Sequence, residues 1–178
     1  FDSLGKGMLP VLLAKLLDQS FEVQMWVGIV SIVGHNWSPF IRFTGGRGVA
    51  TTIGVVLGFF MWREFLLLTV VLGLLGRVVF NEFGFWTLIA MLLLPVLAFV
   101  FGQPAELVYF GIGSAVLLMF KRLTANWEAP RGGYHPLMVL AYRALWDRDV
   151  PKRVQWVRRR PPTDRKGSST DVPDEVLS

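Results

Sequence analysis

The sequence predicts an all-α fold: a polytopic transmembrane bundle of about six helices, followed by a basic C-terminal tail. Three observations point there. Hydrophobic residues make up 53% of the chain and charged residues only 17%, against about 25% charged in average soluble domains. From Phe83 to Ala105 no charge interrupts 23 residues, enough for one bilayer crossing, which takes about 20. The remaining apolar stretches are divided by short polar breaks that read as turns.

In order, the spans are expected near 4–17, 21–38, 48–62, 65–82, 83–102 and 105–121. The first is short for a full crossing. Asp18-Gln19-Ser20 ends it, Trp62-Arg63-Glu64 parts the third from the fourth, and Asn81-Glu82 and Gly102-Gln103-Pro104 part the rest. Aromatic residues near several breaks suit the membrane–water interface. Gly28, Gly54, Gly58, Gly73, Gly76, Gly111 and Gly113 fall inside spans, where small residues let helix backbones approach closely. Beyond the bundle (1–125), a basic, amphipathic membrane-surface segment is expected over 126–160 and a disordered tail over 161–178. Pro136 to Trp146 reads as a helix lying on the membrane, and Arg148, Lys152, Arg153 and Arg158 to Arg160 suit anionic headgroups. The Pro/Ser/Asp-rich end lacks the apolar residues that would order it.

Charge sets the orientation. Residues 1–120 carry six cations and six acids, and residues 121–178 carry twelve and seven, so the C-terminal part supplies the whole net +5. Next to membrane spans, such a bias marks the cytoplasmic side, which is preferred here over nucleic-acid binding. Counting spans from a cytoplasmic C-terminus puts Lys6, the loop around 39–48, Arg77 and the Lys121-Arg122 pair on that same face. No basic leader precedes the first apolar run, so no signal peptide is expected, and the abrupt start suggests a missing N-terminal portion. Cys is absent and His35 and His135 are the two histidines, which argues against thiolate chemistry and a multi-histidine metal site. No metal or cofactor is expected.

The chemistry concentrates between residues 35 and 51. Gly45, Gly46 and Gly48 flank Arg47, just before an apolar segment. Successive glycine amides can form an anion-binding concavity, a following helix N-terminus adds positive potential, and a guanidinium fork matches phosphate oxygens. Thr51 and Thr52 offer hydroxyls in the first turn, and Arg42 lies nearby. An ordinary turn with snorkelling arginines is the equal alternative on these residues alone. The Walker pattern is absent. His35 is able to donate to an anion or act as a base, although a helix-end histidine is more often structural. Lys6, Lys15, Arg77 and Glu82 are charges set among apolar residues, which usually face a cavity or a partner; Arg77 is expected to pair with Glu82, and Lys15 to snorkel.

The stretch Gly34-His35-x-x-x-Pro39-Phe40-x-x-Phe43-x-Gly45-Gly46-Arg47-Gly48-Val49-Ala50-Thr51 resembles the signature of bacterial glycerol-3-phosphate acyltransferases of the PlsY type. Lys6-Gly7-x-x-Pro10-Val11 and Arg122-Leu123-x-x-x-x-Glu128 resemble two further runs of that family, and Arg77 falls where it commonly has an arginine. The resemblance implies a membrane enzyme of phospholipid synthesis, multi-pass in the bacterial plasma membrane with a cytoplasmic C-terminus. It would move a fatty acyl group from acyl phosphate to the 1-hydroxyl of glycerol 3-phosphate, giving lysophosphatidic acid and phosphate. Its partners would then be those two substrates and membrane lipid, with no nucleic acid. It further implies His35 and Arg47 as catalytic residues, Lys6, Gly45, Gly46, Arg47, Gly48 and Thr51 as phosphate contacts, and Arg77, Arg122 and Glu128 in support.

The sequence also departs from the family. No Ser-Gly-Asn-x-Gly-Ala-Thr-Asn-type loop is present, and Ser3 stands where an aspartate is usual. Arg47 replaces a lysine, serines are missing after Arg77, Val116 and Met119 take the places of a histidine and an asparagine, and Asn126 replaces a glycine. Two other readings follow: a catalytically silent relative serving as a subunit of a membrane protein assembly, and a small anion carrier.

Overall fold

Seven helices follow one another through the computed structural model, which describes residues 2–125 and 135–150. They are α1 (Asp2–Leu16), α2 (Phe21–Asn36), α3 (Val49–Gly58), α4 (Trp62–Thr69), α5 (Phe83–Val100), α6 (Ala105–Thr124) and α7 (Pro136–Trp146). A 3₁₀ turn at Pro39–Ile41 precedes the glycine loop, and α4 runs on as a π-helical stretch, Val70–Val79. No strand occurs among the described residues. The expectations for Glu128, Asn126, the basic run from Lys152 and the tail 161–178 lie outside them.

The helix ends have a common cause. Asp18, Phe60, Asn81, Gly102, Ala125 and Asp147 all adopt positive φ, between 42° and 69°, and each lies just past a helix, where a left-handed residue turns the chain away. Three of these, Asp18, Asn81 and Gly102, belong to breaks that polarity and glycine mark in the sequence. Phe60 and Ala125 carry no such mark.

Close backbone approach assembles the bundle. A side chain at Gly7 would strike the Thr51 backbone of α3, and one at Gly54 would strike the Leu4 backbone of α1. The pair lets α1 and α3 meet along their length. Gly28 of α2 lies against Val55 and Phe110, Gly111 of α6 against Pro95 of α5, and Gly76 against Trp86. Small residues thus act at helix contacts as the sequence suggests, except Gly73, which faces open space. Val11, Ile32, Val55, Val56, Leu94 and Phe110 fill the centre, with the Phe59 and Phe110 rings edge to face at 5.4 Å.

The outside is apolar too. Leu92, Val96 and Phe99 on α5 and Tyr109, Ile112 and Val116 on α6 are all exposed, an apolar surface far broader than an aqueous environment favours. Helices α5 and α6 are long and apolar enough to cross a membrane. Helices α1 and α2 have 15 and 16 residues and α3 has ten, short of a full-length span.

Two expected charge roles are overturned. Arg77 does not pair with Glu82: its Nη1 donates to Asn81 Oδ1 at 3.1 Å, just past the end of its helix. Glu82 instead accepts from Arg148 at 3.2 Å. Arg148 is 7% exposed, so it is not presented to headgroups. Lys15 is exposed, with Nζ 4.1 Å from the Phe60 ring centroid.

Candidate functional site

The end of α2 and the loop after it build the site. Arg42 and Phe43 take left-handed φ of 53° and 61°, which folds the chain back along α2. Phe43 N–H donates to the Ser38 carbonyl at 2.9 Å and Gly46 N–H to the His35 carbonyl at 3.2 Å. The glycines make this contact possible. A side chain at Gly45 would strike the His35 and Asn36 carbonyls, and one at Gly46 the His35 imidazole. Gly48, at φ 77°, lies against the Asn36 side chain and leads into α3. The glycines were expected to leave their amides open to an anion. In fact, the Gly46 amide is held by His35, and glycine is needed here chiefly so that the loop can lie on α2.

A cleft of about 610 Å³ opens beside this loop, lined by Lys6, Ser31, His35, Ser38 and Gly46, with Pro10 and Phe40 as apolar walls. It brings together three residues that the sequence marks as functional: the exposed Lys6, the half-buried His35, and Gly46. An ammonium and an imidazole at a mouth with apolar walls suit an anionic head attached to an apolar tail.

Other expected residues lie elsewhere. Arg47 does not line the cleft; its Nη1 donates to Asp147 Oδ1, just past α7. Thr51 is completely buried and its backbone lies under Gly7, so its hydroxyl cannot meet a ligand in the cleft. Thr52 donates to the Gly48 carbonyl at 2.9 Å. Arg122 points away from the cleft: Nη1 donates to the Ala144 carbonyl at 2.9 Å and Nη2 to the Gly84 carbonyl at 2.6 Å. Arg77 stays exposed at its own helix end.

Sequence reasoning missed Asn36 and Asp147. Asn36, the last residue of α2, is fully buried against Gly48, with no hydrogen-bond partner for its side-chain amide among the described residues. Its carbonyl accepts from Lys121 Nζ, which also lies 5.0 Å from the Trp37 ring centroid. A buried ammonium joining a carbonyl and an aromatic face locks the end of α2 to α6. Nothing near Asn36 in the sequence signals this, because its partner is 85 residues away.

The family model described as glycerol-3-phosphate acyltransferase matches residues 2–129. A glycerol-3-phosphate acyltransferase of Endomicrobium trichonymphae is 31% identical over 120 residues, which are 67% of this chain and 59% of that protein. Glycerol-3-phosphate acyltransferase 4 of Dehalococcoides mccartyi strain CBDB1 is 30% identical over 176 residues, 92% of this chain and 72% of that protein. A Deinococcus radiodurans relative is 52% identical over 56 residues, 32% of this chain and 28% of its own. The chain thus spans between about a quarter and three quarters of the length of these relatives. Among solved structures, the crystal structure of PlsY (YgiH), an integral membrane glycerol 3-phosphate acyltransferase in its lysophosphatidic acid form, superposes with a TM-score of 0.58 at 26% identity. That likeness covers 76% of this chain and 72% of the other. A family match over most of the chain, with the same helical fold in an integral membrane relative, places this chain in the glycerol-3-phosphate acyltransferase family.

Proposed function

We propose that the chain is a membrane acyltransferase that moves a fatty acyl group from acyl phosphate to the 1-hydroxyl of glycerol 3-phosphate. The observation that carries this is the cleft itself, where Lys6, His35 and Gly46 meet beside apolar walls. Lys6 and His35 hold the phosphate of glycerol 3-phosphate. The acyl donor lies with its chain toward the exposed apolar helix faces and its phosphate toward the loop. The 1-hydroxyl oxygen attacks the acyl carbonyl carbon, a C–O ester bond forms, and the bond from that carbon to the phosphate oxygen breaks. The hydroxyl proton leaves through His35 or the departing phosphate. Holding two substrates in attack geometry contributes roughly 7–11 kcal/mol, and positive groups close to the developing oxyanion lower the barrier further.

We read the segments 4–17, 21–38, 48–62, 65–82, 83–102 and 105–121 as a six-helix, multi-pass bundle in the bacterial plasma membrane. The cleft and the C-terminus face the cytoplasm. Support comes from the apolar exterior and from the basic residues that follow α6.

The test is release of inorganic phosphate by full-length protein in proteoliposomes. Release that requires both acyl phosphate and glycerol 3-phosphate is expected. Release that is indifferent to glycerol 3-phosphate would refute the reading.

A further inference from the structure

Three helix ends meet beside the start of α5. The π-helical stretch closes at Phe80, Asn81 turns the chain at φ 51°, and α5 begins after Glu82. Helix α7 lies beyond the family-matched residues 2–129, yet it ends against this corner, with the Trp146 carbonyl on Gly84. Between these ends opens a pocket of about 390 Å³, lined by Phe80, Glu82, Phe85, Trp86 and Trp146. The Phe80 and Trp86 rings lie nearly parallel with centroids 5.1 Å apart, and Phe85 stands at 85° to Trp86. Two ring planes thus meet in a corner, and Glu82 adds a carboxylate whose side chain is 35% exposed.

Aromatic faces beside a carboxylate attract a cation. A guanidinium of the protein already follows that attraction. Arg148 Nη1 donates to both Glu82 oxygens, at 3.2 and 3.4 Å, and its guanidinium carbon lies 5.9 Å from the Trp146 centroid. Arg148 is buried, whereas Glu82 and the exposed Phe80 ring remain open to a ligand. Glu82 and Arg148 together are neutral. A ligand with a net positive charge would meet the Arg148 charge uncompensated, while a zwitterion brings its own anion. The surroundings name the carrier. Helix α5 is long and apolar enough to cross a membrane, so its first turn lies at the membrane–water interface. Val78, Val79 and Phe83 beside the pocket are exposed apolar side chains, suited to acyl chains.

We propose that this corner binds a zwitterionic phospholipid. Its ammonium group rests against the aromatic rings and Glu82, its phosphate stays toward water, and its chains run along the exposed apolar residues. Aromatic residues at an interface anchor a helix without choosing a headgroup. The carboxylate adds the choice, because an anionic phospholipid offers no ammonium and is repelled by Glu82. Trp146 completes the site from outside the family-matched region. The site takes no part in acyl transfer, so its test does not depend on phosphate release.

Phe80→Leu is the clean perturbation, since it removes an exposed ring and keeps apolar bulk. Glu82→Gln removes the charge and strands Arg148, so Phe80→Leu decides the matter if Glu82→Gln does not fold. Full-length protein in detergent is offered phosphatidylethanolamine and phosphatidylglycerol with the same chains, and bound lipid is counted by native mass spectrometry. Wild type should retain phosphatidylethanolamine about 3- to 10-fold better. The preference should fall close to one in each folded variant. Amide exchange over residues 80–86 should slow when phosphatidylethanolamine is added to wild type. Equal retention of the two lipids by wild type would overturn the proposal, as would a preference that survives in Phe80→Leu or in folded Glu82→Gln. Displacement of the lipid by a soluble alkylammonium ion at equal concentration would overturn the match to a zwitterion.

Discussion

Gly46→Ala places a methyl group where the His35 imidazole now lies. An ideal Cβ at this position sits 3.0 Å from His35 Cε1 and 3.1 Å from Cδ2, and closer still to Nε2. Carbon atoms rest comfortably at about 3.5–4.0 Å, so the ring must retreat by roughly 0.5–1 Å or change rotamer. The imidazole is the far end of a flexible side chain, so the fold yields easily. Overpacking costs about 1–3 kcal/mol, partly offset by about 0.4–1 kcal/mol from the smaller unfolded-state entropy of alanine. Stability should therefore fall by less than about 2.6 kcal/mol. Activity should fall much more, because a displacement near 1 Å in a reacting site costs on the order of 100-fold. The assay is phosphate release with varied glycerol 3-phosphate, beside thermal unfolding in detergent. In a His35→Ala background the methyl has room, so adding Gly46→Ala should do little more. Wild-type kcat/KM in Gly46→Ala, or an equal further loss without the imidazole, would refute this account of the cleft.

Two more changes test how the bundle holds the site. Gly7→Ala meets backbone rather than side chain, with the Thr51 carbonyl carbon and the Val55 nitrogen both at 3.0 Å from the new Cβ. Helices α1 and α3 must part, so a loss of about 1–3 kcal/mol is expected, read as a lowered Tm at about 2–4 °C per kcal/mol. The neighbouring Lys6 moves with α1, so the KM for glycerol 3-phosphate should rise in the same variant. Arg122→Met keeps the unbranched apolar stem but leaves the Gly84 and Ala144 carbonyls without their donor. A loss of about 1–3 kcal/mol is expected, with amide exchange over residues 139–146 accelerating more than over α3. Uniform protection across both helices would contradict the role of Arg122 as the anchor of α7.

What the sequence makes legible is what local chemistry dictates. The uncharged run from Phe83 and the polar breaks at Asp18, Asn81 and Gly102 mark helix limits because turns and apolar length act over a few residues. Pro136 to Trp146 is found as a helix with the same limits, since its proline start and apolar content are local signals. The residues of the cleft, Lys6 and His35, are legible as charged or polar groups out of place among apolar neighbours. Long-range pairing is not. Arg77 and Glu82 are close in sequence, but a partner 66 residues from Glu82 takes its carboxylate. Arg47 is read as a ligand for phosphate because a guanidinium beside glycines has that chemistry, yet its partner is a carboxylate 100 residues away. Thr51 looks available in a first turn, but α1 covers it through Gly7, 44 positions earlier in the chain. The π-helical geometry of Val70–Val79 likewise leaves no trace in an apolar run that reads as plain helix.

The central claim concerns which bond is made, and product identity addresses it most directly. Full-length protein is given an acyl phosphate with a labelled chain together with glycerol 3-phosphate, and the lipid product is separated and fragmented by mass spectrometry. The label should appear as an ester on the 1-oxygen of glycerol 3-phosphate, in one-to-one ratio with the phosphate released. Phosphate released together with free fatty acid, or label left wholly on the donor under conditions where the protein is folded, would contradict it.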